Sequence, residues 1–308
     1  MDTLTPQKNL PLLFLGGLVL LTIATAFIPA KWFGIEPKSV TRARVDFSSI
    51  SPSDVAEDTN NDKAISWKEL IESTLGPTER SELEGKEADP KVIAELNDPN
   101  NLTASFSKNL YVASTYLSQD PNVTEEDKQD VINQLIQQEA AKITPTTYGF
   151  KDLNIASAES KASITLYGNT VAKLLENLIT EQSIAATAGA IETFLTTRDG
   201  KDLAAIETER VKVDAALKKL LAVSTPLSGA AYQAVAVNRV AAYRDTLYNL
   251  AQAGDDPIRA TLFIEKYPDV LVSTLRIHNE LSAYFESQNV TFLGKDPGYV
   301  FTIGYTLK

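Results

Sequence analysis

Residues 202–222 read DLAAIETERVKVDAALKKLLA, and apolar side chains recur along this stretch at helical spacing. The apolar positions are Leu203, Ile206, Val213, Leu217, Leu220 and Leu221. Residues three or four positions apart lie on the same face of an α-helix, and charged residues fill many of the positions between these apolar ones. The stretch therefore predicts an amphipathic helix that buries one face in a protein core.

Comparable patterns flank this helix on both sides. They predict further helices at 103–118, 124–142, 159–180, 184–197, 227–253 and 257–287, the last divided near Tyr267-Pro268. Thr124 with three acidic residues after it is typical of a capped helix start, and Asp256-Pro257 places a cap before a proline at the first helical position. We expect an all-α fold in which residues 102–308 form a multi-helix bundle.

The C-terminal residues differ in composition from the helices. Val290–Leu293 and Tyr299–Tyr305 are rich in β-branched and aromatic residues, and the turn sequence Gly294–Gly298 separates them. Residues of this kind on both sides of a turn favour a short C-terminal β-hairpin. An apolar tail laid on the bundle has the same composition, so the sequence leaves both structures open.

The N-terminal part contains an apolar stretch of a different kind. Residues 9–30 form a run of 22 residues without a charge, between Lys8 and Lys31. About 20 apolar residues in a helix suffice to cross the hydrocarbon core of a bilayer. Trp32 and Phe33 follow at once, as expected of aromatic residues at a membrane surface. Residues 9–30 are therefore predicted to be a single transmembrane helix that binds the lipid bilayer.

The segments around this helix follow from the same argument. Residues 1–8 would be a short tail, 31–57 a juxtamembrane stalk, and 58–101 an acidic segment. Ala24-Thr25-Ala26 resembles a signal-peptidase site, so the alternative to an anchor is a cleaved leader. The long apolar run and the missing basic N-terminal region favour retention as a signal-anchor.

Composition and charge exclude several classes of site and partner. The 308-residue chain has no cysteine and a single histidine, His278, so it holds no disulfide or thiolate metal site, and no histidine cluster within one chain. The net charge is −11, and residues 45–130 carry 19 acidic and 7 basic residues. Such a stretch repels nucleic acid, and nucleic-acid binding is not expected.

One loop has the spacing of a calcium-binding loop, namely the sequence DTNNDKAISWKE that begins at Asp58. Asp58, Asn60 and Asp62 occupy the first, third and fifth positions. Ala64 stands at the seventh, where the backbone carbonyl is the ligand, and Glu69 at the twelfth, where both carboxylate oxygens bind. The loop resembles that of EF-hands, and more closely the single-helix loops of dockerins and thrombospondin type 3 repeats. It predicts a Ca²⁺ site.

The loop departs from the EF-hand pattern at its sixth position. Lys63 replaces the usual glycine, where a positive φ costs a side chain about 1 kcal/mol or more, so weak binding is expected. Ser66 and Glu69 also fit a metal-free capping box, and this alternative stays open. Four basic residues in 31–44 favour a cytoplasmic domain, whereas weak calcium sites fill only outside the cell. On the calcium argument, we expect the C-terminal domain to be extracytoplasmic.

Several short motifs together resemble a group of membrane-anchored proteins of candidate-phylum bacteria. These proteins have an N-terminal anchor, thrombospondin type 3-like acidic loops and an all-helical domain, and the resemblance implies no activity. The motifs that carry it are residues 58–69, Tyr148–Leu153, Tyr167-Gly168-Asn169, Ser224–Leu227, Asn238, Asp256–Ala260, Phe285 and Asp296-Pro297-Gly298. A second acidic loop, frequent in that group, is missing here.

Three functional hypotheses follow. The first is a non-enzymatic, membrane-tethered extracytoplasmic interaction or scaffold protein, part of a cell-envelope assembly with a protein partner and stabilised by calcium. The second is an envelope hydrolase that uses two carboxyl groups, which would need a pocket holding two acids with raised pKa values. The third is a structural bundle with a metal-free capped loop. No sequence motif of a catalytic site accompanies the 40 acidic residues.

Overall fold

The helical pattern of the sequence corresponds to helices in the structure. A computed structural model describes Asp98, residues 100–117 and residues 123–303. The α-helices are α1 (Leu102–Leu117), α2 (Glu125–Ala141), α3 (Lys161–Leu175), α4 (Glu181–Thr197), α5 (Ala204–Ala222), α6 (Ala230–Ala251), α7 (Pro257–Leu275), α8 (Ile277–Ser287) and α9 (Val300–Ile303). Within the described residues, the only β-type pairing is an isolated bridge between Ile155 and Thr225. The predicted all-α fold is confirmed for this part of the chain.

The start of α2 shows why a helix begins where it does. The Asp127 N–H donates to the Thr124 hydroxyl at 3.2 Å, and the Thr124 N–H donates to the Asp127 carboxylate at 2.8 Å. This reciprocal pair satisfies two N–H groups that have no partner inside the helix. The predicted cap at Thr124 is confirmed, and Asp256 caps α7 ahead of Pro257 as predicted.

Helix α6 lies at the centre of the described bundle. It packs against α5 on one side and α7 on the other, and α8 also contacts it. Val237, Val240, Tyr243 and Leu247 of α6 are fully buried. The facing side of α5 is the apolar stripe predicted from the sequence, since Ile206, Val213, Leu217 and Leu220 are buried as well. Apolar burial between α5, α6 and α7 is therefore the main source of stability.

One predicted helix boundary is not found at its predicted position. The division expected near Tyr267-Pro268 is wrong, because Pro268 lies inside α7 and the chain turns only at Arg276. Proline removes one backbone hydrogen bond from a helix. Tyr267 is buried, and its ring lies 6.3 Å from that of Tyr243 on α6. This packing keeps α7 helical through the proline.

The described part of the C-terminal segment, up to Ile303, folds back on α3 and shows no hairpin. Its described part contains a 3-10 helix, Pro297–Tyr299, followed directly by α9. The Phe292 ring is buried, and the Gly298 N–H donates to the Asn169 side chain at 2.8 Å. Of the residues that suggested strands, Val290, Phe292 and Phe301 are buried against the bundle. Of the two predicted structures, the described residues show the apolar tail.

The anchor, stalk and calcium-loop predictions lie outside the described residues. They concern residues 9–30, 31–57 and 58–69, so the structure does not test them. Among the helices that are described, none combines the length and the apolar character needed to cross a bilayer.

Candidate functional site

The residues predicted to bind calcium are not among those that the structure describes. Asp58, Asn60, Asp62, Ala64 and Glu69 all fall in the undescribed N-terminal part. Across residues 100–117 and 123–303, no group of three or more acidic or histidine side chains is arranged to hold a metal ion. The remaining candidate sites in the described residues are the surface of the bundle and its buried polar residues.

Asn238 of α6 fastens an extended segment to the bundle. Its side-chain oxygen accepts a 2.7 Å hydrogen bond from the Tyr148 N–H, and its amide group donates to the Tyr148 carbonyl at 2.9 Å. Two turns further along α6, the Asp245 carboxylate accepts from the Thr146 N–H at 3.0 Å. Arg244 donates to the Thr146 hydroxyl at 2.9 Å. Residues 146–148 therefore lie along α6 in a fixed position.

The same segment is fastened a second time, before α3 begins. The Thr225 N–H donates to the Asn154 carbonyl, and the Ala156 N–H donates to the Thr225 carbonyl, both at 2.8 Å. The Asn154 side chain adds a 3.1 Å bond to the Ala222 carbonyl at the end of α5. The motifs that the sequence singled out at 148–153, 224–227 and Asn238 thus meet in one place. They hold loops on the bundle.

Large apolar side chains remain exposed around this doubly fastened segment. The exposed fractions are 57% for Phe150, 69% for Leu227, 40% for Val235 and 36% for Tyr232. We call these four residues the Phe150 surface. Single exposed apolar residues are common on proteins, and a cluster of them is a better indication of binding. The position of these four side chains relative to one another therefore matters.

The four residues lie on or beside the first half of α6. Tyr232 and Val235 are one turn apart on α6, and Asn238 follows after one more turn. The 3-10 helix Phe150–Asp152 packs against α6. Since Tyr148 is bonded to Asn238, Phe150 lies beside that side of α6. Leu227 opens the 3-10 helix that leads into α6, next to the bridge at Thr225.

A buried glutamate between α1 and α2 has a structural role. The Glu139 side chain is fully buried and accepts hydrogen bonds from Ser105 at 2.9 Å and from Asn109 at 3.3 Å. Lys142 donates to both Glu139 oxygens and, at 2.6 Å, to the Ser105 hydroxyl. These four residues form an ion-pair network, and the sequence had not indicated that Glu139 is buried.

His278 is part of the core. The ring lies 5.9 Å from that of Phe301, and burial lowers the pKa of His278 to about 4. The imidazole is therefore neutral at physiological pH. The chain's single histidine packs the C-terminal segment against α8.

A hydrolase of the predicted kind needs two carboxyl groups with raised pKa values. The described carboxyl groups do not meet this requirement. Where the pKa of a described carboxyl group is clearly shifted, it is lowered. A hydrogen bond from Ser228 lowers the pKa of Glu159, and bonds from Arg210 and Lys218 lower those of Glu207 and Asp214. A general acid at neutral pH needs the opposite shift. The described residues therefore give the hydrolase hypothesis no support.

Comparisons with protein-family models, with curated proteins and with solved structures each find no match.

Proposed function

We propose that this chain is a membrane-tethered, extracytoplasmic interaction protein that binds a protein partner of the cell envelope through the Phe150 surface. It works by binding and not by catalysis. The observation that carries the proposal is a set of four exposed apolar side chains around the segment that bears Phe150, which Asn238 and Thr225 hold on the bundle. The tether is residues 9–30, as the sequence predicts.

Fixed backbone around the Phe150 surface favours binding. A loop that must be ordered on binding loses conformational entropy, and that loss weakens the complex. Here the Asn238 side chain holds the Tyr148 backbone, and backbone groups of Asn154 and Ala156 hold Thr225, through hydrogen bonds of 2.7 to 2.9 Å before any partner arrives. Exposed aromatic side chains on a rigid support are typical of residues that dominate binding energy. The expected partner surface is apolar, with a pocket that takes the Phe150 ring.

The predicted tether and calcium loop would locate the Phe150 surface close to the bilayer. A helix at residues 9–30 would hold the bundle at the bilayer, with residues 31–57 as a stalk. Ca²⁺ bound by Asp58, Asn60, Asp62, Ala64 and Glu69 would stiffen the connection between stalk and bundle. These features, together with the resemblance to membrane-anchored helical proteins, support location at the envelope.

Photo-crosslinking in native membranes tests the interaction. Phe150 is replaced by the photoreactive residue benzoylphenylalanine in the full chain, and Val211 is replaced likewise as the control. Val211 of α5 is a matched control because its side chain is 54% exposed, close to the value for Phe150. We expect one discrete adduct from position 150 and none from position 211.

Second-site substitutions show whether such an adduct is specific. Leu227→Glu with Val235→Glu places two charges in the Phe150 surface and should abolish the adduct. Both side chains are exposed, so the thermal midpoint should stay the same. Equal labelling from positions 150 and 211, or an adduct that survives both charges, would rule the proposal out.

A further inference from the structure

Helix α4 buries little apolar surface for its length. Of its 17 residues, four are buried, namely Ser183, Thr187, Ala190 and Phe194, and only Phe194 among these is a large apolar side chain. Helix α6 buries eleven of its 22 residues. A helix in a folded protein is held mainly by the apolar face that it packs on its neighbours. Helix α4 is therefore held more weakly than the centre of the bundle.

Three buried hydroxyl groups meet between α4, α6 and α7. Thr187, Tyr243 and Tyr267, one from each helix, are at most 8% exposed. Burial raises the pKa of Tyr267, and the hydroxyls of Thr187 and Tyr243 lie near enough to oppose part of that rise. None of the three hydroxyls makes a hydrogen bond of normal geometry to a residue that the structure describes. Burying a polar group without such a bond lowers stability, and water supplies the bond once α4 moves away.

The packing between α4 and α7 is also incomplete. A cleft of about 40 Å³ lies between them, and its lining includes Ile191 and Phe194 of α4 and Ala260 and Ile264 of α7. Side chains that border a gap lose part of the van der Waals attraction that close packing provides. The free energy needed to separate α4 from α7 is lower for this reason as well.

We propose that α4 is a lid, which opens while α5, α6 and α7 stay folded. The structure shows the closed position. Opening removes Phe194 from the core, and it exposes the hydroxyls of Thr187 and Tyr267 to water. The hydrogen bonds gained with water offset part of the apolar burial that is lost. Elements held by few apolar contacts open more often than the core of the same protein.

Thiol labelling of the full chain detects the opening directly. The chain has no cysteine, so a single introduced thiol is the only reactive one. Thr187→Cys places it on the buried face of α4, and Thr246→Cys on α6 is the matched control, because both threonines are 1% exposed. Without denaturant, Thr187→Cys should react at least about tenfold faster than Thr246→Cys. Equal rates at the two positions would overturn the proposal.

Hydrogen exchange measured by mass spectrometry tests the lid in the chain without any substitution. Backbone amides of residues 185–197 should exchange faster than those of residues 210–222 and 236–250. Their exchange should also depend only weakly on urea, because a local opening exposes little surface. If the amides of α4 exchange only together with those of α5 and α6, the lid does not exist.

One further substitution tests why the lid opens. Thr187→Val removes a buried hydroxyl from the closed position, so it should slow the exchange of α4 roughly fivefold or more. Thr193→Val is the matched control, since the Thr193 hydroxyl is exposed and donates to the Gly189 carbonyl of the same helix at 2.8 Å. It should leave the exchange nearly unchanged. Unchanged or faster exchange in Thr187→Val would contradict the role given to the hydroxyls.

Discussion

Asp256 holds the starts of two helices at once. Its carboxylate accepts five hydrogen bonds, from the N–H groups of Leu102, Thr103 and Arg259, the Thr103 hydroxyl and the Arg259 guanidinium. These donors belong to the first turns of α1 and α7, which are far apart in sequence. Arg259 also donates to the Asn100 carbonyl and to the Asn249 side chain. One side chain therefore joins the first described helix to the second half of the bundle.

Asp256→Asn should destabilise the fold by about 2 to 3 kcal/mol, because an amide replaces a charged acceptor at two helix starts. Urea denaturation of the two proteins measures the difference. Asp255→Asn is the matched control, since its side chain is exposed and the change should have little effect. Equal losses from both substitutions would show that the carboxylate of Asp256 has no special role.

The stability that Asp256 contributes should depend on pH. Burial by itself raises the pKa of Asp256, but hydrogen bonds from Thr103, Arg259 and the Leu102 N–H outweigh burial and hold the pKa below its ordinary value. The contribution is therefore fully present above the unfolded-state pKa and is lost as the pH falls through the folded-state pKa. The difference in the free energy of unfolding between the unchanged chain and Asp256→Asn should be constant near neutral pH. This difference should become smaller below about pH 4.

At the scale of an element, the C-terminal segment docks on α3 through two glycines. A Cβ at Gly168 would lie 2.4 Å from the Phe292 ring, and a Cβ at Gly298 would lie equally close to it. Gly168→Ala should therefore cost about 1 to 3 kcal/mol by overpacking. Gly189→Ala on exposed α4, where a Cβ meets nothing within 4 Å, should stabilise by about 0.5 to 1 kcal/mol. Thermal denaturation shows whether each substitution stabilises or destabilises the protein. A stabilising Gly168→Ala would contradict the docking of the C-terminal segment on α3.

The segment at Tyr148 offers a second test at this scale. Asn238→Leu removes both hydrogen bonds to the Tyr148 backbone, so residues 146–149 should exchange their amide hydrogens faster. The global stability should fall by about 1 to 2 kcal/mol. Hydrogen exchange measured by mass spectrometry reports both effects. Unchanged exchange at Tyr148 would mean that the segment is held by other contacts, and the argument for a fixed Phe150 surface would fail.

The sequence was informative about helices and less so about what joins them. The stripe in α5 and the caps at Thr124 and Asp256 were predictable because their causes are local. The continuation of α7 through Pro268 depends on tertiary packing of Tyr267, and no pattern within the helix contains that information. The same holds for the C-terminal tail, since Phe292 and Gly168 meet across more than a hundred residues.

At the scale of the whole molecule, the sequence predicted only part of what forms the Phe150 surface. The motifs at 148–153, 224–227 and Asn238 stood out in the sequence, but only the fold brings them together. Phe150 and Leu227 look like ordinary apolar residues until their exposure is known.

The calcium loop gives a prediction for the full chain. Isothermal titration with Ca²⁺ should show one weak site, and Asp62→Ala should abolish it by removing a carboxylate ligand. Lys63→Gly should tighten binding, because glycine adopts a positive φ at the sixth position without strain. Heat of binding that persists in Asp62→Ala would show that the ion binds elsewhere, and no heat in either protein would favour the metal-free capped loop.

The central claim is that a helical body in water is held at a bilayer by residues 9–30. Flotation of the expressed full chain through a density gradient, after alkaline extraction of the membranes, tests it most directly. We expect the uncut chain to float with lipid and the chain without residues 9–30 to stay in the aqueous fractions. Recovery of the uncut full chain in the aqueous fractions, without detergent, would contradict the claim.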